Sequence, residues 1–405
     1  MKRNKQIFRH LFSIQDGIDM NYNKYQHKEL SEIGMGCYTL GGAYGQVNGR
    51  RYKEVLKHAY DQGVNLFDTA DTYGPKAEEV LGEAVAPFRE EINISTKVGI
   101  REGYKADMSY DSVISACDDS LERLDTSYVD FYFVHFDDPD TPVERTIGAL
   151  EDLKMDGKID NYGLSHLPID RVKEYVEKGD VTVSMLELSA VSRQAKKELL
   201  PFYNENDIGA FAFSITGRGI LTGKFEEKPQ FEPGDIRNMD PLFKHARFES
   251  ALRIAEKMDK IGDKYDKSSV QVAINWVINQ DGIISALTGP STIEHLEENV
   301  GGSGWDIHEE DMEELDKFLE EEEERLKKTE PERVKKILTQ GLPDHKGTAF
   351  NDLVYAMETS INHDMVKEKE IMPLFQKLIT MQKSEKGLTE KGLKEIQTQI
   401  RNTVF

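Results

Sequence analysis

A chain of 405 residues has room for one large core or for two domains. Its net charge of −22 and hydrophobic content of 38% describe an acidic, soluble protein. That charge argues against nucleic acid, which is bound through Lys and Arg on phosphates, and against anionic membrane surfaces; no apolar stretch approaches the roughly 20 residues that span a bilayer.

The opening "MKRNKQIFRHLFSIQ" is basic and free of acids. It has a faint likeness to an organellar transit peptide and lacks the apolar core of a secretory signal, so residues 1–29 are read as a disordered or loosely docked N-terminal arm. From there short apolar runs alternate with longer segments of helical period, eight times over. The predicted strands are "EIGMGC" (32–37), "VNLFDT" (64–69), "INISTK" (92–97), "DFYFVH" (130–135), "DNYGLS" (160–165), "VTVSMLEL" (181–188), "GAFAFS" (209–214) and "IISALTG" (283–289). Between them lie amphipathic segments such as "VERTIGALEDLKMDG", where Ile147, Leu150 and Leu153 recur at helical spacing and Gly157 stands where a helix would end.

Each parallel strand pair needs a crossover, so eight βα units predict an α/β fold of the (β/α)8 TIM-barrel type. The competing open sheet carries a glycine fingerprint after its first strand. "GMGCYTLGG" offers Gly34 and Gly36 but Thr39 in the third place, and no helix follows at once. The barrel is assigned to residues 30–328. After Gly304, "DIHEEDMEELDKFLEEEEERLKK" reads as an acidic helix with Met312, Leu315, Phe318 and Leu319 on its apolar face; its glutamate run is read as solvated rather than metal-binding. Pro331 is expected to break that helix. Residues 329–405 then form a C-terminal helical extension, expected to dock on the barrel or on a second subunit. It has no cysteine, which excludes an iron–sulfur appendage. Cys37 and Cys117 form neither a CxxC nor a metal spacing and fit a reducing cytoplasm.

In such a barrel the reactive groups gather where strands end. Asp68 ends the second strand, Tyr73 lies in the loop after it, Lys97 ends the third and His135 the fourth. Singly, Asp68 is explained as a helix cap, Lys97 as a snorkelling side chain, His135 as a wall residue and Tyr73 as packing. Four such groups from three adjacent strands at one mouth point instead to chemistry.

With "FDTADTYG", the lysine of "ISTKVG", the histidine of "YVDFYFVHFDDPDTPVE", "GLSH", "FSITGRGILTGK" and "GPSTIEHLEENVG" in order, the sequence resembles an aldo-keto reductase over roughly residues 30 to 303. The resemblance implies hydride transfer between a nicotinamide cofactor and a small-molecule carbonyl or alcohol. A carbonyl oxygen whose carbon receives hydride must gain a proton, and a free phenol, with a pKa near 10, gives one up poorly. A neighbouring ammonium lowers that value and a carboxylate fixes the ammonium. Tyr73 is therefore the expected acid, Lys97 its tuner, Asp68 the partner of Lys97, and His135 the group that orients the carbonyl, with no metal required.

For the cofactor, the resemblance places Phe213 on the nicotinamide and Ser165 on its carboxamide, where His166 replaces an Asn and Met185 a Gln. Ser214, Gly217, Arg218 and Gly219 are expected around the pyrophosphate. Gly289, Ser291, Thr292, His295, Glu298 and Asn299 line the adenosine end, with Lys224 or Arg237 reaching in from the loop after the seventh strand. Ser291 and Thr292 stand where the family often has Arg or Lys, but their hydroxyls can donate to a 2′-phosphate, so NADP is still expected, with NAD the less favoured choice. The family also contains nicotinamide-binding regulatory β-subunits of channels, which is the alternative reading. A homo-oligomer is compatible with the sequence, and the substrate is not encoded in any readable motif.

Overall fold

The computed structural model describes residues 20–45, 47–99, 106–227, 229–232, 234–383 and 387–405. The basic opening segment and residues 100–105 lie outside the described residues.

The chain enters through a hairpin, β1 (Tyr22–Tyr25) and β2 (Lys28–Ser31), paired antiparallel with Tyr22 opposite Ser31. All eight predicted runs are strands: β3 (Ile33–Gly36), β4 (Leu66–Asp68), β5 (Asn93–Val98), β6 (Val129–Val134), β7 (Ile159–Leu164), β8 (Val183–Glu187), β9 (Gly209–Phe213) and β10 (Ile283–Thr288). They pair in parallel in chain order, and β10 closes on β3 to complete the barrel. The helices are α1 (Gly49–Asp61), α2 (Pro75–Val85), α3 (Tyr110–Leu124), α4 (Val143–Met155), α5 (Ile169–Lys178), α6 (Leu199–Glu205), α7 (His245–Gly262), α8 (Ser269–Ile278) and α9 (Ile293–Val300). Gly157 falls just past α4 with φ +69°, the left-handed stop its position suggests.

Leu66, Phe131, Phe133, Val183, Met185 and Phe211 fill one buried cluster with Leu30 of the hairpin. Burying each such side chain contributes about 1.5–3 kcal/mol. At Gly163 in the wall, a Cβ would stand 2.2 Å from the Val183 carbonyl, so only glycine lets β7 and β8 approach this closely.

The hairpin corrects the expectation of a loose arm, because from residue 22 onward the chain is bonded to the ends where strands begin. Tyr22 donates to the Gly63 carbonyl at 2.8 Å, Asn23 to Ile284 at 2.8 Å, and Tyr25 to Asp207 at 2.9 Å. Lys28 reaches Asp130 at 2.6 Å and Asp160 at 2.9 Å. Asp130 also accepts from Arg89 and from the Ile94 amide, each at 2.9 Å. Removing one partner of a buried ionic network costs about 3–5 kcal/mol. Asp130→Ala is thus expected to lower the melting temperature strongly without touching the opposite mouth; a thermal melt within a degree or so of wild type would contradict this anchoring role.

The chain divides into two compact units, one running to Thr222 and resuming over Met258–His308, the other formed by Gly223–Lys257 with Glu309–Phe405. The second unit holds α10 (Glu309–Thr339), α11 (Lys346–Asn362), α12 (Glu368–Lys383) and α13 (Glu390–Val404). The boundary expected at 328 falls inside α10, and a segment assigned to the barrel groups with the tail.

Pro331 does not break α10. Its missing N–H costs a helix roughly 3 kcal/mol, but Glu330 before it and Val334, Ile337 and Leu338 after it are buried, so tertiary packing overrides the local rule. Those apolar residues join Leu353, Ile371 and Ile396 in the unit's own core. The glutamate run is not wholly solvated either. Glu322 is buried and grips Arg253 through both oxygens, at 2.9 and 2.7 Å. Leu315 and Leu319 are buried as their spacing requires, while Met312 and Phe318 are half-buried.

Candidate active site

Asp68 ends β4, and register places it beside Ser95 of β5. Ser95 and Lys97 are two residues apart on one strand, so both side chains point to the same face. Ser95 donates to Asp68 Oδ1 at 2.7 Å; Lys97 Nζ donates to Oδ1 at 2.7 Å and to Oδ2 at 2.8 Å. The same ammonium reaches the Thr69 carbonyl at 2.7 Å and the Tyr73 hydroxyl at 3.1 Å. Tyr73 closes a short 3-10 turn, Asp71–Tyr73, whose backbone is crowded by Gly41: a Cβ there would lie 2.6 Å from the Tyr73 carbonyl oxygen. His135 directly follows β6, buried, its amide donating to Val98 at 2.7 Å. Its ring centre is 6.0 Å from that of Tyr73, and its Nδ1 is 3.3 Å from the Thr72 hydroxyl. The four expected residues are therefore brought together.

Their electrostatics differ from expectation at one point. Burial pushes the Tyr73 phenol well above its usual value, and the Asp68 carboxylate adds to the rise. The expected lowering by Lys97 does not prevail, because Asp68 holds that ammonium from below and the surrounding protein penalises a phenolate. Tyr73 so keeps its proton through the neutral range. Burial also pushes the Asp68 carboxyl up, against the pull of Lys97 and Ser95. The His135 imidazole lies well below its usual value through burial, with Lys97 and His166 adding to the fall, and is neutral at pH 7. When Nδ1 accepts from the Thr72 hydroxyl, the ring proton resides on Nε2.

At the positions expected to hold the cofactor, Ser165 follows β7 with its hydroxyl buried and without a hydrogen-bond partner among the described residues. An orphaned buried hydroxyl fits a ligand group that completes it. His166 adopts φ +51° and its ring lies 5.6 Å from His135, 5.4 Å from Phe136 and 5.0 Å from Phe213. Although its side chain is exposed, crowding by the surrounding protein pushes it down to about 4, Glu187 opposing the fall and Lys97 and Arg218 adding to it. Phe213 ends β9, half-buried against the barrel core.

The loop that follows is tightly wound: Ser214, Gly217, Arg218 and Gly219 all have left-handed backbone. For Ser and Arg this costs on the order of 1–3 kcal/mol each. Thr292 caps α9 by accepting from the His295 amide at 3.3 Å, with Ser291 exposed before it. The Gly289 carbonyl accepts from Thr39 at 3.0 Å. Asn299 is buried on Thr288 at 2.6 Å, and the Glu298 carbonyl accepts from Gln271 at 3.1 Å.

Three expected cofactor residues, Met185, Lys224 and Arg237, have other contacts of their own. Met185 is packed in the barrel interior with Phe131 and Phe211, an apolar side chain in an apolar place. Lys224 belongs to the second unit, where it lies 5.1 Å over the Phe225 ring, and Arg237 is clamped there by Asp235. Sequence reasoning missed Tyr38, whose ring packs edge-on against Tyr73 at 4.9 Å, and Glu187, which pairs with Arg218. The only signal for either was position: Tyr38 follows the first barrel strand by two residues, and Glu187 is an acid at a strand end, the pattern that marked Asp68. Among the described residues no group of His, Cys, Asp and Glu converges to hold a metal, and no helix is long and apolar enough to cross a membrane.

The chain matches the model of the Aldo/keto reductase family over residues 32–320. Aldo-keto reductase YhdN of Bacillus subtilis (strain 168) is 31% identical over 305 residues, covering 72% of this chain and 91% of that protein. Among solved structures, the glycerol dehydrogenase AKR11B4 from Gluconobacter oxydans aligns with a TM-score of 0.67 at 27% identity, over 72% of this chain and 92% of that one. An aldo/keto reductase from Klebsiella pneumoniae, solved with NADP and acetate, aligns with a TM-score of 0.57 over 73% of this chain and 93% of its own, and at 23% identity supports the fold.

Proposed function

The chain belongs to the aldo/keto reductase family, and on that premise we propose that it reduces an aldehyde or ketone to an alcohol, or runs the reverse, with Tyr73 giving or taking the proton. The observation that carries this reading is the Lys97 ammonium, fixed by Asp68 and Thr69 and aimed at the Tyr73 hydroxyl 3.1 Å away.

A bound nicotinamide supplies the hydride. Tyr73 holds the proton for the carbonyl oxygen, and its raised affinity for that proton keeps it loaded at neutral pH. Lys97 donates to the phenol oxygen and so stabilises the negative charge that grows there as the proton leaves. Asp68 and Ser95 keep the ammonium from swinging away. Neutral His135 offers its Nε2 proton to the substrate oxygen, which orients the carbonyl and polarises it. Ser165, His166 and Phe213 would hold the nicotinamide ring, with the 214–219 loop on the pyrophosphate and the start of α9 at the adenosine end.

NADP is the cofactor we favour, supported by the Klebsiella neighbour solved with it and by the hydroxyls of Ser291 and Thr292. Without an arginine clamp the margin over NAD is modest, since a charge-assisted hydrogen bond is typically worth about 1.5–3 kcal/mol. Fluorescence titration with both reduced cofactors is expected to give tighter binding of NADPH; a clear preference for NADH would overturn that choice. The Gluconobacter neighbour is a glycerol dehydrogenase, so small hydroxylated carbonyls belong in the substrate panel beside simple aldehydes and ketones. Loss of reduced-cofactor absorbance with any of these supports the enzyme. Tight cofactor binding without turnover across the panel favours a regulatory subunit. The two free, buried cysteines suit a reducing cytoplasm.

A further inference from the structure

Glu187 is the last residue of β8 and Arg218 sits in the loop that leaves β9. Their side chains meet at 2.8 Å, Arg218 Nη1 to Glu187 Oε1, with a longer contact of 3.5 Å from Nη2 to Oε2. Glu187 lies on the same face of its strand as Val183 and Met185, which fill the barrel interior, so its carboxylate stands at the rim of the mouth. Both charges are felt by His166, and that of Arg218 by Tyr38. The ion pair therefore lies near His166, which packs by His135, and near Tyr38, which packs on Tyr73.

What the pair ties down is the loop with four left-handed residues. Its internal bonds are short-range turns: the Gly217 amide to Ser214 at 2.8 Å, the Gly219 and Leu221 amides to Thr216 and the Ile220 amide to Gly217, each at 3.1 Å, and the Thr222 hydroxyl to Gly219 at 2.8 Å. It also packs closely, since a Cβ on Gly217 would meet Val191 at 2.7 Å. Backbone wound this way persists only where its surroundings hold it.

We propose that Glu187 is a positioning residue that bolts the 214–219 loop to the barrel rim through Arg218, and that Arg218 serves as this bolt rather than as a phosphate ligand. The cofactor part of the proposal rests on the reading of this mouth as a nicotinamide site. An arginine that left Glu187 for a phosphate would give up this ion pair and bring the phosphate's negative charge toward the Glu187 carboxylate. An arginine that stays keeps the loop preorganised, and a preordered loop binds without the cost of ordering it.

The test measures NADPH affinity and amide hydrogen exchange in the full chain for wild type, Glu187→Gln, Arg218→Gln and the double variant. Each single change is expected to weaken NADPH binding about tenfold and to speed its dissociation. The double variant should lose no more than either single, because both break one interaction. In the cofactor-free chain the Gly217, Gly219 and Leu221 amides should exchange faster in each variant, with the barrel strands unchanged. Tighter NADPH binding by Glu187→Gln would show Arg218 to be a phosphate ligand held back by Glu187, and unaltered exchange or additive losses would equally overturn the proposal. If wild type binds neither NADPH nor NADH while exchange responds as expected, the bolt stands and the nicotinamide reading falls.

Discussion

Tyr73→Phe is expected to lower carbonyl reduction by about 10²–10⁴-fold, the usual contribution of a general acid, with NADPH affinity close to wild type. The ring that packs edge-on against Tyr38 at 4.9 Å stays in place, and only the hydroxyl facing Lys97 Nζ is lost. Neutral His135 cannot substitute: burial and Lys97 keep it from becoming the imidazolium that could donate readily, and a neutral imidazole is a far weaker acid than a phenol. Parallel measurement of turnover and cofactor affinity separates the two effects. Near-normal reduction with cofactor bound would remove Tyr73 from the chemistry.

Lys97→Met is expected to fall comparably in rate, by another route and with a structural penalty that Tyr73→Phe lacks. The substitution withdraws the ammonium from both Asp68 oxygens, from the Thr69 carbonyl and from the phenol. Asp68 is then a buried carboxylate with Ser95 as its remaining donor among these contacts, a situation that costs about 3–5 kcal/mol. A lower melting temperature should accompany the lost activity. Combining Lys97→Met with Asp68→Asn should recover part of the stability and none of the rate, which distinguishes the two roles of the lysine.

The pH dependence has a definite sign. Tyr73 must be protonated to act in reduction and deprotonated to act in alcohol oxidation. Because its pKa lies above the ordinary phenol value, wild-type reduction should hold through neutral pH into the alkaline range, while oxidation rises with pH. Removing the positive charge of Lys97 moves the phenol higher still, so any residual oxidation by Lys97→Met should climb at still more alkaline pH. A residual profile identical to wild type would show that Lys97 does not act on the phenol.

The barrel was legible because its strands are short apolar runs closed by turn or charged residues, and such runs have few other uses in a chain of alternating period. The same abrupt endings exposed Asp68, Lys97 and His135. The hairpin at residues 22–31 was not legible, since "YNKYQHKELS" is polar, brief and without a glycine turn; only its bonds to the barrel base reveal why it folds. Pro331 misled because local propensity was weighed without the buried residues on either side of it. The union of Gly223–Lys257 with the tail is a long-range pairing with no local signature. The direction of the Tyr73 shift was missed for a related reason: it is set by the sum of the groups that enclose it, and the sequence displays only the partners.

The most direct test of the assigned chemistry is isotope transfer. Full-length protein is incubated with NADPH carrying deuterium at the transferable position and with the panel of aldehydes, ketones and small hydroxylated carbonyls. The expected result is an alcohol with one deuterium on its carbinol carbon, formed by wild type and suppressed in Tyr73→Phe. Saturating cofactor binding with no labelled alcohol from any carbonyl would contradict the enzyme reading and leave a nicotinamide-binding regulatory subunit in its place.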